Sequence, residues 1–309
     1  MTHLFIFAIL ALGLNVIVGE VGLLHLGIAA FFGIGAYITG VLTVPANPFH
    51  CGFWLSLAAS TAGASLSGVV LAAPVLRLRG DYFALVTLAF GEVVRFSLRN
   101  FEEITGGTRA LNPIPPPELP GWLAAAISTL GIEPDFSRDD RLFYWFDLGL
   151  LLVVALALHR LQSSPLGRAW RAVREDELAA ACLGINPARV KLAALAIGSG
   201  LAGLAGSLYA YRITSTASPD AYDFSRSVMV LCAVLVGGLG NIRGVILGVF
   251  LVFGFDNLLA PWIDRWLQAQ TSGAGAPWLV FSNWRLMLFG LSLILVMRFR
   301  PAGLCAGRA

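Results

Sequence analysis

Apolar runs of membrane-spanning length constrain this chain more than any other feature of its sequence. They cover residues 4–20, 22–42, 54–76, 82–100, 142–160, 191–211, 226–242, 243–261 and 281–298. Runs of about 18–25 residues are long enough to cross a hydrocarbon core of about 30 Å as α-helices. Apolar and small residues fill these runs on every face, without the period-2 alternation of a membrane β-barrel. The sequence therefore predicts an all-α, polytopic helical membrane protein.

The predicted architecture is one transmembrane domain, residues 1–309, with eight or nine membrane helices, some of them broken or re-entrant. Composition agrees, because 57% of the residues are hydrophobic and only 13% are charged. That leaves too little polar surface to cover a water-soluble domain.

One long polar insertion interrupts the apolar pattern, and we call residues 161–190 the polar loop. With its two flanking residues it carries nine charged side chains, of which six are basic: Arg160, Arg168, Arg171, Arg174, Arg189 and Lys191. Basic loops between membrane helices remain in the cytoplasm. The same orientation places residues 101–141, where acidic residues outnumber basic ones, outside as an external loop.

Helix signals are present inside the polar loop. Ser164 before Pro165 and Asn186 before Pro187 are typical of helix starts, and Gly184 is typical of a helix end. Apolar residues at helical spacing and three consecutive acidic residues between these signals predict one amphipathic cytoplasmic helix. The alternative is a helix lying on the lipid surface, although such helices usually lack an acidic run.

Glycines are concentrated in residues 19–37, GEVGLLHLGIAAFFGIGAY. Glycine permits close packing of helices, and it also weakens a helix, so that a broken helix here would line a substrate pathway. Both interpretations stay open, and the pathway candidates in this segment are Gly22, His25, Gly27, Gly33 and Gly35.

Two charged residues within an apolar run, Glu92 and Arg95, are also pathway candidates. They are three residues apart and share one helix face, so a structural ion pair is the competing explanation.

Catalytic and nucleotide-binding motifs are missing from the sequence. A Walker A loop ends in Lys followed by Ser or Thr, whereas the only lysine, Lys191, stands in RVKLA without a glycine-rich turn. The four histidines are too dispersed to predict a metal site, and no cofactor motif is present. The chain is thus predicted to be a transport subunit, not an enzyme, and to depend on another protein for energy.

Several blocks carry a resemblance to a known family: GLLHLGIAAFFGIGAY, RLRGDYFALVTLAFGEVVR, TGGTRAL, SPLGRAWRAVREDELAAACLGI and LVGGLGNIRGVILG. In this order they resemble the permease subunits of branched-chain amino-acid ABC importers, over nearly the whole chain. The resemblance implies passage of leucine, isoleucine or valine from a periplasmic binding protein to the cytoplasm, driven by two separate ATPase subunits. It also implies a second permease subunit, expected to be a different chain, and a multi-pass location in the lipid bilayer of the bacterial inner membrane, without nucleic acid.

The same resemblance makes the polar loop an ATPase-docking loop, because EDELAAACLG resembles the segment that ABC permeases insert into a groove of the ATPase. The residues implied in docking are Arg168, Arg171, Arg174, Glu175, Asp176, Glu177, Ala179, Ala180 and Gly184.

Two alternatives remain at the level of sequence. Related permeases carry urea, short amides or simple sugars on the same scaffold. A secondary transporter driven by an ion gradient belongs to another class, and it gives the polar loop no role.

Overall fold

The computed structural model describes residues 2–45, 48, 51–75, 81–117 and 140–255, together with 257, 262, 287, 290, 291, 294 and 298. Within these residues the chain is helical and contains no strand. The α-helices are α1 Thr2–Asn15, α2 Ile28–Thr43, α3 Phe53–Val75, α4 Asp81–Asn100, α5 Glu102–Thr105, α6 Asp140–Ser163, α7 Pro165–Glu175, α8 Glu177–Cys182, α9 Pro187–Ile213, α10 Phe224–Gly237 and α11 Ile242–Gly254. A π-helix, Val16–Glu20, extends α1, and two 3-10 turns cover Gly107–Arg109 and Pro219–Tyr222.

The all-α prediction is confirmed for the described part of the chain, and eight of the nine predicted spans coincide with one of its helices. Of the ninth, residues 281–298, the structure describes residues 287, 290, 291, 294 and 298, which are helical, and the rest of this span lies outside the described residues. Among the described residues, four helices are long and apolar enough to cross a membrane, Thr2–Glu20, Phe53–Ala73, Leu142–Ser163 and Pro187–Ile213, and α2 and α11 are shorter apolar helices.

The prediction of a helix beginning at residue 22 is wrong, because residues 21–27 are not helical and α2 begins at Ile28. Gly22 has a φ of +77°, a left-handed conformation that commonly ends a helix. Glycine adopts this conformation without the steric cost that a Cβ atom would add. Because residues 21–27 lie outside regular helices, their backbone groups need other partners, and one of them, the Leu26 amide, donates a hydrogen bond to Thr87 Oγ1 at 3.1 Å. The glycine-rich segment therefore contains a real break between two membrane helices.

The break is preceded by the π-helix, where the helical turn widens by one residue. Asn15 Oδ1, at the start of this turn, accepts a hydrogen bond of 2.9 Å from the Gly240 amide. A Cβ at Gly19 would lie 2.6 Å from the same amide nitrogen, so only glycine fits there. The widened turn is thus held in place by the connection between α10 and α11. Such π-turns are frequent at functional sites.

Helix α9 is the centre of the bundle and packs against α1, α2 and α3. Small residues bring the backbones together, because a Cβ at Gly35 would overlap the backbone of Gly203, and one at Gly206 would overlap the Phe32 carbonyl. Close backbone approach through glycine is the usual basis of helix association in lipid, where apolar burial supplies no driving force.

Hydroxyl groups form a second set of contacts between the same helices. Thr39 Oγ1 lies 2.8 Å from Ser60 Oγ and 2.7 Å from Ser207 Oγ, which joins α2, α3 and α9. Ser56 Oγ lies 2.6 Å from the Tyr211 hydroxyl. Interhelical hydrogen bonds of this kind contribute about 0.6 kcal/mol each in membranes. They fix the register of α9 against α2 and α3.

The two ends of the bundle differ in character. Helices α1 and α9 run antiparallel, since Arg212 Nε donates to Thr2 Oγ1 at 3.3 Å and Gly13 contacts Gly198. We call the end that carries the polar loop the loop end, and the opposite end, with Thr2 and Ile213, the far end.

Candidate functional site

The polar loop folds as two short helices, α7 and α8, separated at Asp176. The carboxylate of Asp176 accepts hydrogen bonds from the Leu178 amide at 2.8 Å and the Ala179 amide at 3.1 Å, so it caps α8. The prediction of one continuous helix is wrong for this reason. A short acidic side chain that can bond to the following amides favours a new helix start over continuation.

The helix starts predicted at Ser164 and Asn186 are confirmed. Ser164 Oγ accepts from the Gly167 amide at 3.4 Å, and Asn186 Oδ1 accepts from the Arg189 amide at 3.3 Å. Gly184, with a φ of +86°, follows α8 and allows the chain to turn back toward α9.

The apolar side of α7 packs against the bundle. Trp170 is fully buried, and its indole Nε1 donates to the Val190 carbonyl at 3.0 Å. Val173, almost one turn later, is also buried. These contacts connect α7 to the beginning of α9. Because Trp170 and Val173 are buried inside the protein, the apolar side of α7 does not lie on the lipid surface.

Two of the predicted docking arginines bind within the chain. Arg168 Nη1 donates to the Ser163 carbonyl at 3.1 Å, and Arg171 Nη2 donates to the Gln162 carbonyl at 3.3 Å. Both carbonyls belong to the last turn of α6, where a positive charge also complements the helix dipole. These arginines therefore stabilise the junction between α6 and α7.

Arg174 connects the polar loop to the broken segment. Its Nη1 donates to the carbonyl of Gly19 in the π-helix, and its side chain lies against Gly22. Beside it, Gln162 Nε2 donates to Glu20 Oε1 at 2.6 Å and to the Gly240 carbonyl at 3.3 Å. The loop end thus has one polar cluster, formed by Arg174, Gln162, Glu20 and the Gly19 and Gly240 carbonyls, in which three segments of the chain meet.

The acidic residues of the polar loop have different roles. Glu177 pairs with Lys191 Nζ at 2.7 Å, and the lysine side chain is only 7% exposed. This ion pair attaches α8 to α9. Glu175, in contrast, is exposed.

The outward side of α8 is apolar. Leu178 is 65% exposed and Leu183, just after the helix, is 81% exposed, while Ala179 and Cys182 are exposed between them. Ala180 packs inward and is only 2% exposed. The sequence interpretation named the alanines and missed the two leucines, although leucines flanking a short helix in a polar loop are a readable signal. We call Leu178, Ala179, Cys182 and Leu183 the docking patch.

Three of the pathway candidates, Gly27, Gly33 and Gly35, lie at close contacts between segments of the bundle. Added Cβ atoms would overlap the Thr87 carbonyl at Gly27 and the backbone of Gly203 at Gly35, and one at Gly33 would lie 2.9 Å from the Tyr222 ring. Their lack of a side chain lets α4, the Pro219–Tyr222 turn and α9 approach α2.

Glu92 and Arg95 form the predicted ion pair, with Arg95 Nη2 2.7 Å from Glu92 Oε2. The structure adds a third member, because Arg95 Nη1 lies 3.4 Å from Asp220 Oδ1. The side chain of Arg95 is 25% exposed and that of Glu92 is 31% exposed, so the ion pair on α4 is partly accessible from outside the bundle.

His25 is completely buried in the break between α1 and α2. Its Nδ1 accepts a hydrogen bond of 3.3 Å from the Gly27 amide, and its Nε2 has no hydrogen-bond partner in the described part of the chain. Its neighbours are the rings of Phe31 and Phe83, at 5.6 and 6.2 Å between centroids. His25 therefore fixes the local backbone, as a core histidine does.

Two buried acidic residues were missed at the level of sequence. Glu20 is 4% exposed in the π-helix, and Asp147 is 1% exposed in α6. Each is a charged residue within an apolar run. The same feature made Glu92 a pathway candidate. In a membrane helix such residues are costly and usually functional.

Comparison with known proteins adds sequence relationships to this geometry. The profile of the family described as branched-chain amino acid transport system / permease component matches residues 1–297. The high-affinity branched-chain amino acid transport system permease protein LivM of Escherichia coli is 39% identical over 309 residues, which covers 97% of this chain and 67% of the relative.

Two further relatives carry related descriptions. The probable branched-chain amino acid transport permease protein LivM of Methanocaldococcus jannaschii is 28% identical over 94% of this chain and 83% of its own length. The high-affinity branched-chain amino acid transport system permease protein LivH of Escherichia coli is 25% identical over 82% of this chain and 81% of its own length. No solved structure gives a significant match.

Proposed function

Because the chain belongs to the family of branched-chain amino acid transport permeases, we propose that it forms part of the membrane pathway of an ABC importer for leucine, isoleucine and valine. It is a membrane-integral transport component and not an enzyme. Separate ATPase subunits supply the energy, and a binding protein delivers the amino acid.

The docking patch is the observation that carries this proposal. Leu178 on α8 and Leu183 just after it are exposed. The Glu177–Lys191 ion pair attaches α8 to α9, and the buried Trp170 attaches the preceding α7 to the start of α9. Large apolar side chains kept in a fixed position on a polar surface are typical of a protein interaction site. An ATPase that binds here moves the loop end of the bundle as a unit.

Movement of the polar loop has a direct route into the membrane. Arg174 bonds to Gly19, and Gln162 bonds to Glu20, on the widened turn that precedes the break. When a partner displaces α7, these bonds transmit the displacement to the Gly19–Gly22 segment, where the chain has no regular helix to resist it. We propose that this segment changes conformation during alternating access, in which two states bind the partner differently.

A second permease completes the pathway in this proposal. Escherichia coli has both a LivM and a LivH that resemble this chain, which favours a pair of different permeases. Helix α4 offers a face for that partner, because Leu85, Val93 and Phe96 are at least half exposed and the Glu92–Arg95 ion pair is on the same helix. Charged groups in a membrane face protein or water.

The proposed orientation places the docking patch in the cytoplasm, where ATPase subunits are found. With the polar loop in the cytoplasm, the far end and residues 101–141 face the periplasm, where they are available to the binding protein. The bilayer is then the bacterial inner membrane, and two ATPase subunits serve the two permeases.

Copurification tests the proposal. A tagged chain, expressed with the genes that neighbour its own, is expected to bring along an ATPase, a second permease and a binding protein, and the reconstituted assembly is expected to take up leucine only with ATP.

Leu183→Glu is expected to reduce ATPase recovery at least ten-fold, because it places a charge within the docking patch. Ser163→Glu, an exposed position outside the patch, is the matched control.

Three results contradict the proposal. Leucine uptake by the isolated chain on an ion gradient would make it a secondary transporter. Uptake of urea, short amides or a sugar in place of leucine would contradict the cargo. Equal ATPase recovery with Leu183→Glu and Ser163→Glu would contradict the docking patch.

A further inference from the structure

A cavity of about 530 Å³ lies at the far end of the bundle, opposite the polar loop. It is formed by α1, α9, α10, α11 and the Pro219–Tyr222 turn, and its lining includes Phe7, Asp220, Asp223, Arg226, Met229 and Phe253. Small-molecule sites commonly have volumes of about 300–1,000 Å³ and combine apolar walls with a few polar groups. The volume of this cavity falls in that range, and its lining combines aromatic and charged side chains.

One side of the cavity is apolar and well packed. The rings of Phe7 and Phe253 stack with 4.3 Å between their centroids, and both residues are almost completely buried. Met229, on the adjacent α10, is 6% exposed. These side chains form a preorganised wall against which an aliphatic group can be buried without rearrangement.

Arg226 supplies a positive charge on this wall. Its guanidinium carbon lies 5.3 Å from the centroid of the Phe7 ring, so the head group is held over the aromatic stack. No carboxylate lies within ion-pair distance of it in the described part of the chain. An arginine that forms no ion pair among these residues keeps its guanidinium donors available, and an anionic ligand in the cavity can accept hydrogen bonds from them.

Two carboxylates line the same cavity. Asp223 Oδ1 accepts a hydrogen bond of 3.0 Å from the Arg226 backbone amide, which fixes the acid at the start of α10 next to the arginine. Asp220 is paired with Arg95 at 3.4 Å but remains 56% exposed. The cavity therefore presents both signs of charge next to an apolar wall.

We propose that this cavity binds the zwitterion of an amino acid with an aliphatic side chain. Arg226 binds the carboxylate, Asp223 and Asp220 attract the ammonium group, and the side chain packs on Phe7, Phe253 and Met229. The inference rests on the proposed transport function and extends it, because it gives the cargo a site in the far half of the permease.

The test is equilibrium binding of tritiated leucine to the purified assembly in nanodiscs, without the binding protein. Leucinamide, which lacks the carboxylate charge, and 4-methylpentanoate, which lacks the ammonium group, serve as competitors. Arg226→Gln is expected to weaken leucine binding about 10- to 100-fold, the range for losing a hydrogen bond to a charged group. It is also expected to abolish the preference for leucine over leucinamide, and Arg226→Lys is expected to restore part of that preference.

The selectivity ratio separates a binding role from a structural one, because partial misfolding lowers binding of both compounds equally. Arg243→Gln, at an exposed arginine on the loop end of α11, is the matched control and is expected to preserve both the affinity for leucine and the ratio of leucine to leucinamide affinity.

An unchanged ratio of leucine to leucinamide affinity in Arg226→Gln overturns this inference. So does undetectable leucine binding by an assembly that transports leucine, or displacement of leucine by anionic lipid alone. Because uptake is measured separately, a missing site and a wrong transport function give different results.

Discussion

Arg174 has the most consequential position of any single residue in the polar loop. The neighbouring Arg168 and Arg171 bind carbonyls at the end of α6, and of these three arginines only Arg174 forms a hydrogen bond to the π-helix, at Gly19. A charged donor on a backbone carbonyl is worth about 1.5–3 kcal/mol, more than a neutral hydrogen bond. The bond is strong enough to transmit displacement between the two segments.

Arg174→Ala is expected to lower ATP-driven leucine uptake about ten-fold while the ATPase still copurifies, because the docking patch remains intact and the connection to Gly19 is lost. Uptake and ATP hydrolysis are measured together in proteoliposomes. Arg160→Ala, an exposed arginine on α6 at the same end of the bundle, is the control and is expected to behave as wild type. Uptake that persists unchanged in Arg174→Ala would show that the bond carries no coupling.

At the scale of helices, the glycines of this chain fall into two classes that sequence alone does not separate. At Gly35 any side chain would overlap the Gly203 backbone across the α2–α9 contact, whereas Gly149 on α6 has no atom within 4 Å of an added Cβ. Gly35→Val is expected to prevent close approach of the helices and to reduce the monodisperse fraction at least several-fold on size-exclusion chromatography.

Gly149→Ala is the matched control, and it is expected to preserve or slightly raise thermal stability, because alanine favours a helix interior over glycine by about 1 kcal/mol. If the two variants have the same chromatographic profile, the tight α2–α9 crossing is not a determinant of the fold.

For the whole molecule, the orientation in the membrane decides which surface meets which partner. The native thiol of Cys182 is exposed on α8, whereas Cys232 is buried. With Cys51 and Cys305 replaced by Ser, a membrane-impermeant maleimide is expected to leave Cys182 unlabelled in right-side-out vesicles and to label it in inverted vesicles, with Cys182→Ser removing the signal. Labelling of Cys182 from the outside would reverse the assigned orientation and separate the polar loop from any cytoplasmic ATPase.

The pattern of apolar runs determined the class of fold, because only helices and closed barrels satisfy the backbone in a membrane, and these runs lack the period-2 alternation of a barrel. Local chemistry also determined the helix starts at Ser164 and Asn186 and the pairing of Glu92 with Arg95, since each depends on residues close in sequence. These features need no knowledge of distant contacts.

Only the tertiary structure decided which candidates act together. The approach of Arg174 to Gly19 joins residues 155 positions apart, and the far-end cavity combines Phe7, Arg226 and Phe253 from three helices. Periodicity reports which residues share a face of one helix, but not which helix that face meets. In a bundle held by glycine contacts, that choice depends on the fit of backbones distant in sequence.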